Sequence, residues 1–205
     1  MPQLEKIKDL THKAINLLEV SYCCAQQARY NPASLVMRTF PAPFEIHFRE
    51  IQRLCSSREK VLAQILANVT TQLAIIRTIP IVVVTTRTSP LVCVVNLLLW
   101  RAEIELAEVL SPNWGEREFI NLTSAAGSLA SAPLLIASVA NSLELRSTAC
   151  AAVTQFGVRH VVLDYSPSEA VSTLKRISGE LDVPVTVLAA PTVVCNPNRR
   201  VRPGW

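Results

Sequence analysis

Apolar residues recur every three to four positions in the N-terminal part of the chain. From Ile79 onward they give way to short β-branched runs separated by helical stretches. Leu4, Ile7, Thr11, Ala14, Ile15, Leu18 and Tyr22 fall on one helical face, which predicts a first helix over residues 3–29. Asn31-Pro32 stops it. Pro41 and Pro43 then make a stiff connector, because each proline lacks an amide donor and restricts the residue before it. Phe44, Phe48, Ile51 and Leu54 begin a second stripe, which Val61, Leu62, Ile65, Leu66, Val69, Leu73 and Ile76 continue. Ser56 and Glu59 offer a capping box at which that stripe can divide into two helices.

The second half of the chain alternates. Residues 79–85 read as a buried strand. Ser89 caps and Pro90 opens a helix expected over residues 91–110, apolar nearly all round at its start and therefore buried on every side. Residues 111–115 form a turn, and 118–123 suggest a strand. Residues 133–139 are a further buried strand. Asn141 and Glu144 then cap a helix that Gly157 closes. Residues 159–164, 167–179 and 184–189 read as strand, helix and strand, a βαβ unit with a right-handed crossover.

The expected fold class is α/β. A helical N-terminal region (residues 1–77) precedes a small Rossmann-like, mostly parallel sheet with helices on both faces (78–191), and an irregular basic tail (192–205) follows. Residues 134–191 resemble two families in texture. One is the phosphosugar-binding (sugar isomerase) domains, through the strand-to-helix loop Ser138-Val-Ala-Asn-Ser142. The other is the Rossmann-type half of the regulatory subunits of the translation-initiation exchange factor, through Val183-Pro-Val-Thr-Val-Leu188. Each resemblance covers under a third of the chain, and the chain is assigned to neither.

Composition narrows the chemistry. Half the residues are hydrophobic and only 5 % are aromatic, so the core is aliphatic. Five glycines leave no material for a glycine-rich phosphate loop, and no Walker, G-x-G-x-x-G or G-x-S-x-G motif occurs. A net charge of +4 is mild for a nucleic-acid binder. Six cysteines without a C-x-x-C pair, and no signal-peptide core, suggest free thiols and a cytoplasmic location. His12, His47 and His160 lack metal-ligand spacing, and no metal or cofactor is expected. Residues 119–143 carry no charge over a length that could span a bilayer, but their many polar residues fit a loop and a buried strand better.

Ligands of open parallel sheets bind outside the carboxyl ends of the strands. That rule selects Thr86, Arg87, Thr88 and Ser89 after one strand, Asn141 and Ser142 after another, and Asp164 at the end of a third. Several stand at helix starts, where free amides attract an anion; capping alone also accounts for Ser89 and Asn141. Arg199, Arg200, Arg202 and Trp205 make the tail a candidate contact for a protein partner or for nucleic acid. The leading expectation is a non-enzymatic interaction or assembly subunit, hetero- or homo-oligomeric. The alternatives are a small-molecule enzyme or sensor binding a phosphorylated ligand at the strand ends, and a membrane-associated protein.

Overall fold

A computed structural model of the chain describes residues 4–30, 47, 50, 51, 53, 55, 57–110, 113–165 and 179–189. The basic tail, and most of the helix expected over 167–179, lie outside the described residues. The protein is a mixed α/β structure built on a five-stranded, mostly parallel sheet. In chain order the elements are β1 (Glu5–Lys6), α1 (Ile7–Tyr30), α2 (Ser57–Thr70), β2 (Ile81–Thr85), α3 (Pro90–Ala102), α4 (Glu116–Ala130), β3 (Leu134–Ser138), α5 (Ser142–Phe156), β4 (His160–Tyr165) and β5 (Val185–Ala189). A π-helical segment, Thr71–Ile76, prolongs α2, and a 3-10 turn, Leu106–Leu110, follows α3.

The strands lie in the order β1-β3-β2-β4-β5, and the short β1 pairs antiparallel with β3 while the other pairings are parallel. β2 is central, and all five of its residues are buried, as a β-branched run with helices on both faces requires. Alternation along β2 separates two cores. Ile81 and Val83 face α1, α3 and α4, whereas Val82 and Val84 face Leu145, Ala149 and Ala152 of α5. The chain leaves β2 toward β3 on one side and passes from β3 through α5 to β4 on the other. Opposite directions of travel place the connecting helices on opposite faces, as right-handed crossovers demand.

The N-terminal helices share a core with the sheet. Leu10, Leu17 and Leu18 of α1 and Leu66 of α2 pack into the same cluster as Val83 and Ile136. α3 lies in the middle of it, with ten of its residues buried, so the expectation of a helix buried on every side holds. A helix of that kind needs partners all round, and α1, α2, α4 and the sheet supply them.

Three expected elements differ. The helix expected from residue 3 begins at Ile7, because Glu5 and Lys6 pair with β3 as a short antiparallel strand. Residues 118–123 are not a strand but part of α4. Glu118 reaches back to accept the Gly115 amide at 2.7 Å, and Leu122, Ala125 and Leu129 are buried at helical spacing. The helix expected to run to residue 110 ends at Ala102. Glu103 adopts a left-handed conformation (φ 59°), and the Ile104 amide closes on the Leu99 carbonyl at 2.9 Å. Turning there lets Ile104, Leu106 and Val109 reach the core, while the Ser21 hydroxyl of α1 donates to the Val109 carbonyl. Tertiary packing thus overrides helix propensity. On the same side, Tyr22, Trp114 and Phe119 cluster with centroids 5.1–6.1 Å apart, joining α1 to α4.

Candidate functional site

The register aligns three strand ends: Thr85 lies beside Ser138 on one side and beside Asp164 on the other. Connections leave β2 and β4 in opposite directions, so the crevice between their carboxyl ends is the topological switch point of the sheet. Thr85 and Asp164 both project to the α3 side of the sheet, on the face of Val83 and Val162. The loop from β2 to α3 crosses directly above them.

That loop folds around one hydroxyl. Thr85 Oγ1 accepts the Arg87 amide at 3.1 Å and the Thr88 amide at 3.3 Å, and donates to Asp164 Oδ2 at 3.0 Å. The Thr86 amide donates to the Asp164 carbonyl at 3.0 Å. Arg87 turns its guanidinium inward, with Nε 2.8 Å and Nη2 2.6 Å from Asp164 Oδ1. The side chains of this pair are 15 % and 4 % exposed, so it is a buried ion pair rather than a surface one. At α3, the Val92 amide reaches Ser89 Oγ at 3.5 Å, a long cap, and Pro90 fills the first helical position.

His47, Glu50 and Arg53 cover the outside. The Ser89 hydroxyl donates to Glu50, His47 Nδ1 lies 3.4 Å from the same hydroxyl, and the Arg53 guanidinium donates to the Arg87 carbonyl. Arg53 Nε also stands 3.4 Å from Glu59 of α2. Two carboxylates, Glu59 and Asp164, are therefore set against two guanidinium groups. The void left among Glu59, Cys93, Arg87 and Asp164 is about 10 Å³, at the lower limit for one water. Burial pushes the Cys93 thiol pKa far up, and the charge of Asp164 adds to that, so Cys93 is no nucleophile.

Of the residues selected from the sequence, the structure gathers Thr86, Arg87, Thr88, Ser89 and Asp164 at one crevice. Asn141 stays within its own turn. Its side chain caps α5 by accepting the Glu144 amide at 2.9 Å, and Glu144 accepts the amide of the preceding Ala140 at 2.8 Å. Ser142 opens α5. Arg199, Arg200, Arg202 and Trp205 lie outside the described residues. Thr85 stands at the strand end that the sequence points to, but its bond to Asp164 spans 79 positions, and His47, Glu50 and Arg53 as the cover carry no local signal, since their contacts join residues 34 to 42 positions apart. Among the described residues no cluster of three or more His, Cys, Asp or Glu could hold a metal, and no helix is long and apolar enough to cross a membrane.

No family model matches the chain, and no curated protein matches it. Among solved structures, it is similar to a DnaB-like replicative helicase, described together with its interactions with primase. The TM-score is 0.49 and the identity 17 %, over 60 % of this chain and 35 % of the helicase chain. The chain thus spans about a third of that protein.

Proposed function

We propose that this chain is a non-enzymatic interaction or assembly subunit built on a Rossmann-like sheet whose usual ligand crevice is closed. The observation that carries the reading is the Arg87–Asp164 pair seated on Thr85. Phosphate-binding loops work by leaving backbone amides free to face an anion. Here the amides of Thr86, Arg87 and Thr88 all donate to protein oxygens, and the arginine that could meet a phosphate is neutralised by an aspartate. A phosphorylated ligand would have to break a buried ion pair before gaining any contact, which argues against the sensor reading. Val61 and Ile65, one turn apart on α2, are more than 40 % exposed, as are Ile120 on α4 and Leu143 on α5. These are surfaces a protein partner could cover, and the Arg/Trp tail is a further proposed contact.

Two measurements on the full chain test the reading. Calorimetric titration with ATP, GTP and glucose 6-phosphate should give no heat of binding; a micromolar site that Arg87→Ala abolishes would reverse the assignment. Sedimentation velocity at two concentrations tenfold apart should show association. A monomer at both, with no change on adding a candidate partner, would remove the assembly role.

A further inference from the structure

A second depression lies away from the strand ends, between α2 with its π-helical continuation and the C-terminal end of α3. Its volume is about 410 Å³, within the range of about 300–1,000 Å³ that small-molecule sites occupy. One wall is a ladder of amides: Gln64, Asn68 and Gln72 follow one another at four-residue spacing along α2 and into the π segment. The facing wall carries apolar groups, Leu99, Ile104 and the indole of Trp100, which is 39 % exposed.

Two polar groups in the wall are unusual. Asn96 is polar among the ten buried residues of α3; its Nδ2 donates to the Ala63 carbonyl at 2.7 Å, which fixes the amide plane at the cavity. Thr71 is 5 % exposed, lines the cavity, and its hydroxyl has no hydrogen-bond partner. Leaving a buried hydroxyl unpaired costs about 1–3 kcal/mol. Thr71 is also the first residue of the π segment, where the Arg77 amide bonds to the Gln72 carbonyl five residues back. Such insertions widen a helix and recur at functional sites.

The charges at the mouth cancel. Lys60 is paired with Glu105 at 2.5 Å, and Arg101 and Glu103 stand beside them, two basic groups against two acidic ones. A balanced rim gives no net attraction for an anion or a cation. Amide side chains offer a donor and an acceptor each, which suits hydroxyl and amide groups, and an indole face suits a flat ring.

We infer that this cavity binds an uncharged small molecule with one flat apolar face and a hydrogen-bonding edge, the chemistry shared by neutral sugars and nucleosides. The inference does not rest on the closure of the strand-end crevice. Saturation-transfer NMR on the full chain tests it, with glucose and maltose in one arm and adenosine and cytidine in the other. Glucose 6-phosphate and AMP serve as charged counterparts. Transfer is expected in one neutral arm, which identifies the source, with affinity falling at least tenfold in Trp100→Ala and in Gln72→Ala. Both positions are exposed, and a circular-dichroism melt checks that each variant keeps its fold. The phosphate should change affinity by less than threefold. No transfer in either neutral arm, undiminished transfer in both variants, or a tenfold gain from the phosphate would each overturn the inference.

Discussion

Removing the guanidinium from the strand-end pair is the most direct test of whether that crevice is closed. Arg87→Met keeps much of the aliphatic volume and deletes both contacts to Asp164 Oδ1, at 2.8 and 2.6 Å. Asp164, whose side chain is 4 % exposed, then keeps the Thr85 hydroxyl at 3.0 Å as its side-chain donor. Breaking a buried pair on one side costs about 3–5 kcal/mol, whereas an exposed pair costs about 0–1 kcal/mol. Arg87 is not wholly buried, so the lower end, about 3 kcal/mol, is expected. In urea, with a slope of about 2 kcal/mol/M, that lowers the midpoint by about 1.5 M. The second arm is the double variant Arg87→Met with Asp164→Asn. Asparagine is nearly isosteric, still accepts from Thr85, and leaves no bare charge, so most of the loss should return, with a coupling of about 2 kcal/mol. The assay is equilibrium unfolding followed by far-ultraviolet circular dichroism at neutral pH. A loss under about 1 kcal/mol for Arg87→Met, with no recovery in the double variant, would show that the pair is screened by water. The crevice would then be open to water and not closed.

Three further predictions follow from other parts of the fold. Gly157 closes α5 at φ 64° with open space where a Cβ would stand, so Gly157→Ala should cost about 1 kcal/mol from backbone conformation alone, read as a lower urea midpoint. Cys23 is exposed and Cys93 is buried with its pKa raised, so native labelling with iodoacetamide at pH 8, mapped by mass spectrometry, should modify Cys23 and spare Cys93 until the protein is unfolded; modification of Cys93 in the native state would contradict the packing of α3. Burial lowers the pKa of His160 from its ordinary 6.5, and its Nε2 lies 2.8 Å from Thr186 Oγ1 across β4 and β5. The unfolded chain therefore takes up the proton first, stability falls as pH drops below about 6.5, and His160→Gln should flatten that part of the pH–stability curve.

Elements whose signals are local were legible in the sequence. β2 and β3 are short apolar runs, α3 begins at Ser89-Pro90, and Asn141, Glu144 and Gly157 mark both ends of α5, because a cap is made by residues within a few positions of each other. The reading of residues 118–123 as a strand failed for an equally local reason. Phe119, Ile120 and Leu122 in a short window fit both periods, and the deciding residues were Gly115 and Glu118 at its edge. The strand-end rule brought Arg87 and Asp164 into view, but not their bond to each other, since they are 77 positions apart. The cavity beside α2 was not legible at all. Its walls come from α2, the π segment, α3 and the residues after it, and nothing in the sequence marks Thr71 as the start of a π segment.

By itself, then, the sequence determined an aliphatic α/β core, a strand-loop-helix around Ser89-Pro90 without a glycine-rich loop, and the candidates along one edge of the sheet. Side-chain period and capping are short-range properties and are written residue by residue. Whether Arg87 faces an incoming anion or a buried aspartate depends on which strand lies next to β2, and the order β3-β2-β4 is a property of the whole sheet. The same holds for the end of α3 at Ala102, where the burial of Ile104, Leu106 and Val109 in the shared core outweighed the local preference for continued helix. Tertiary structure decided both because burial in a shared core contributes more free energy than any single residue's conformational preference.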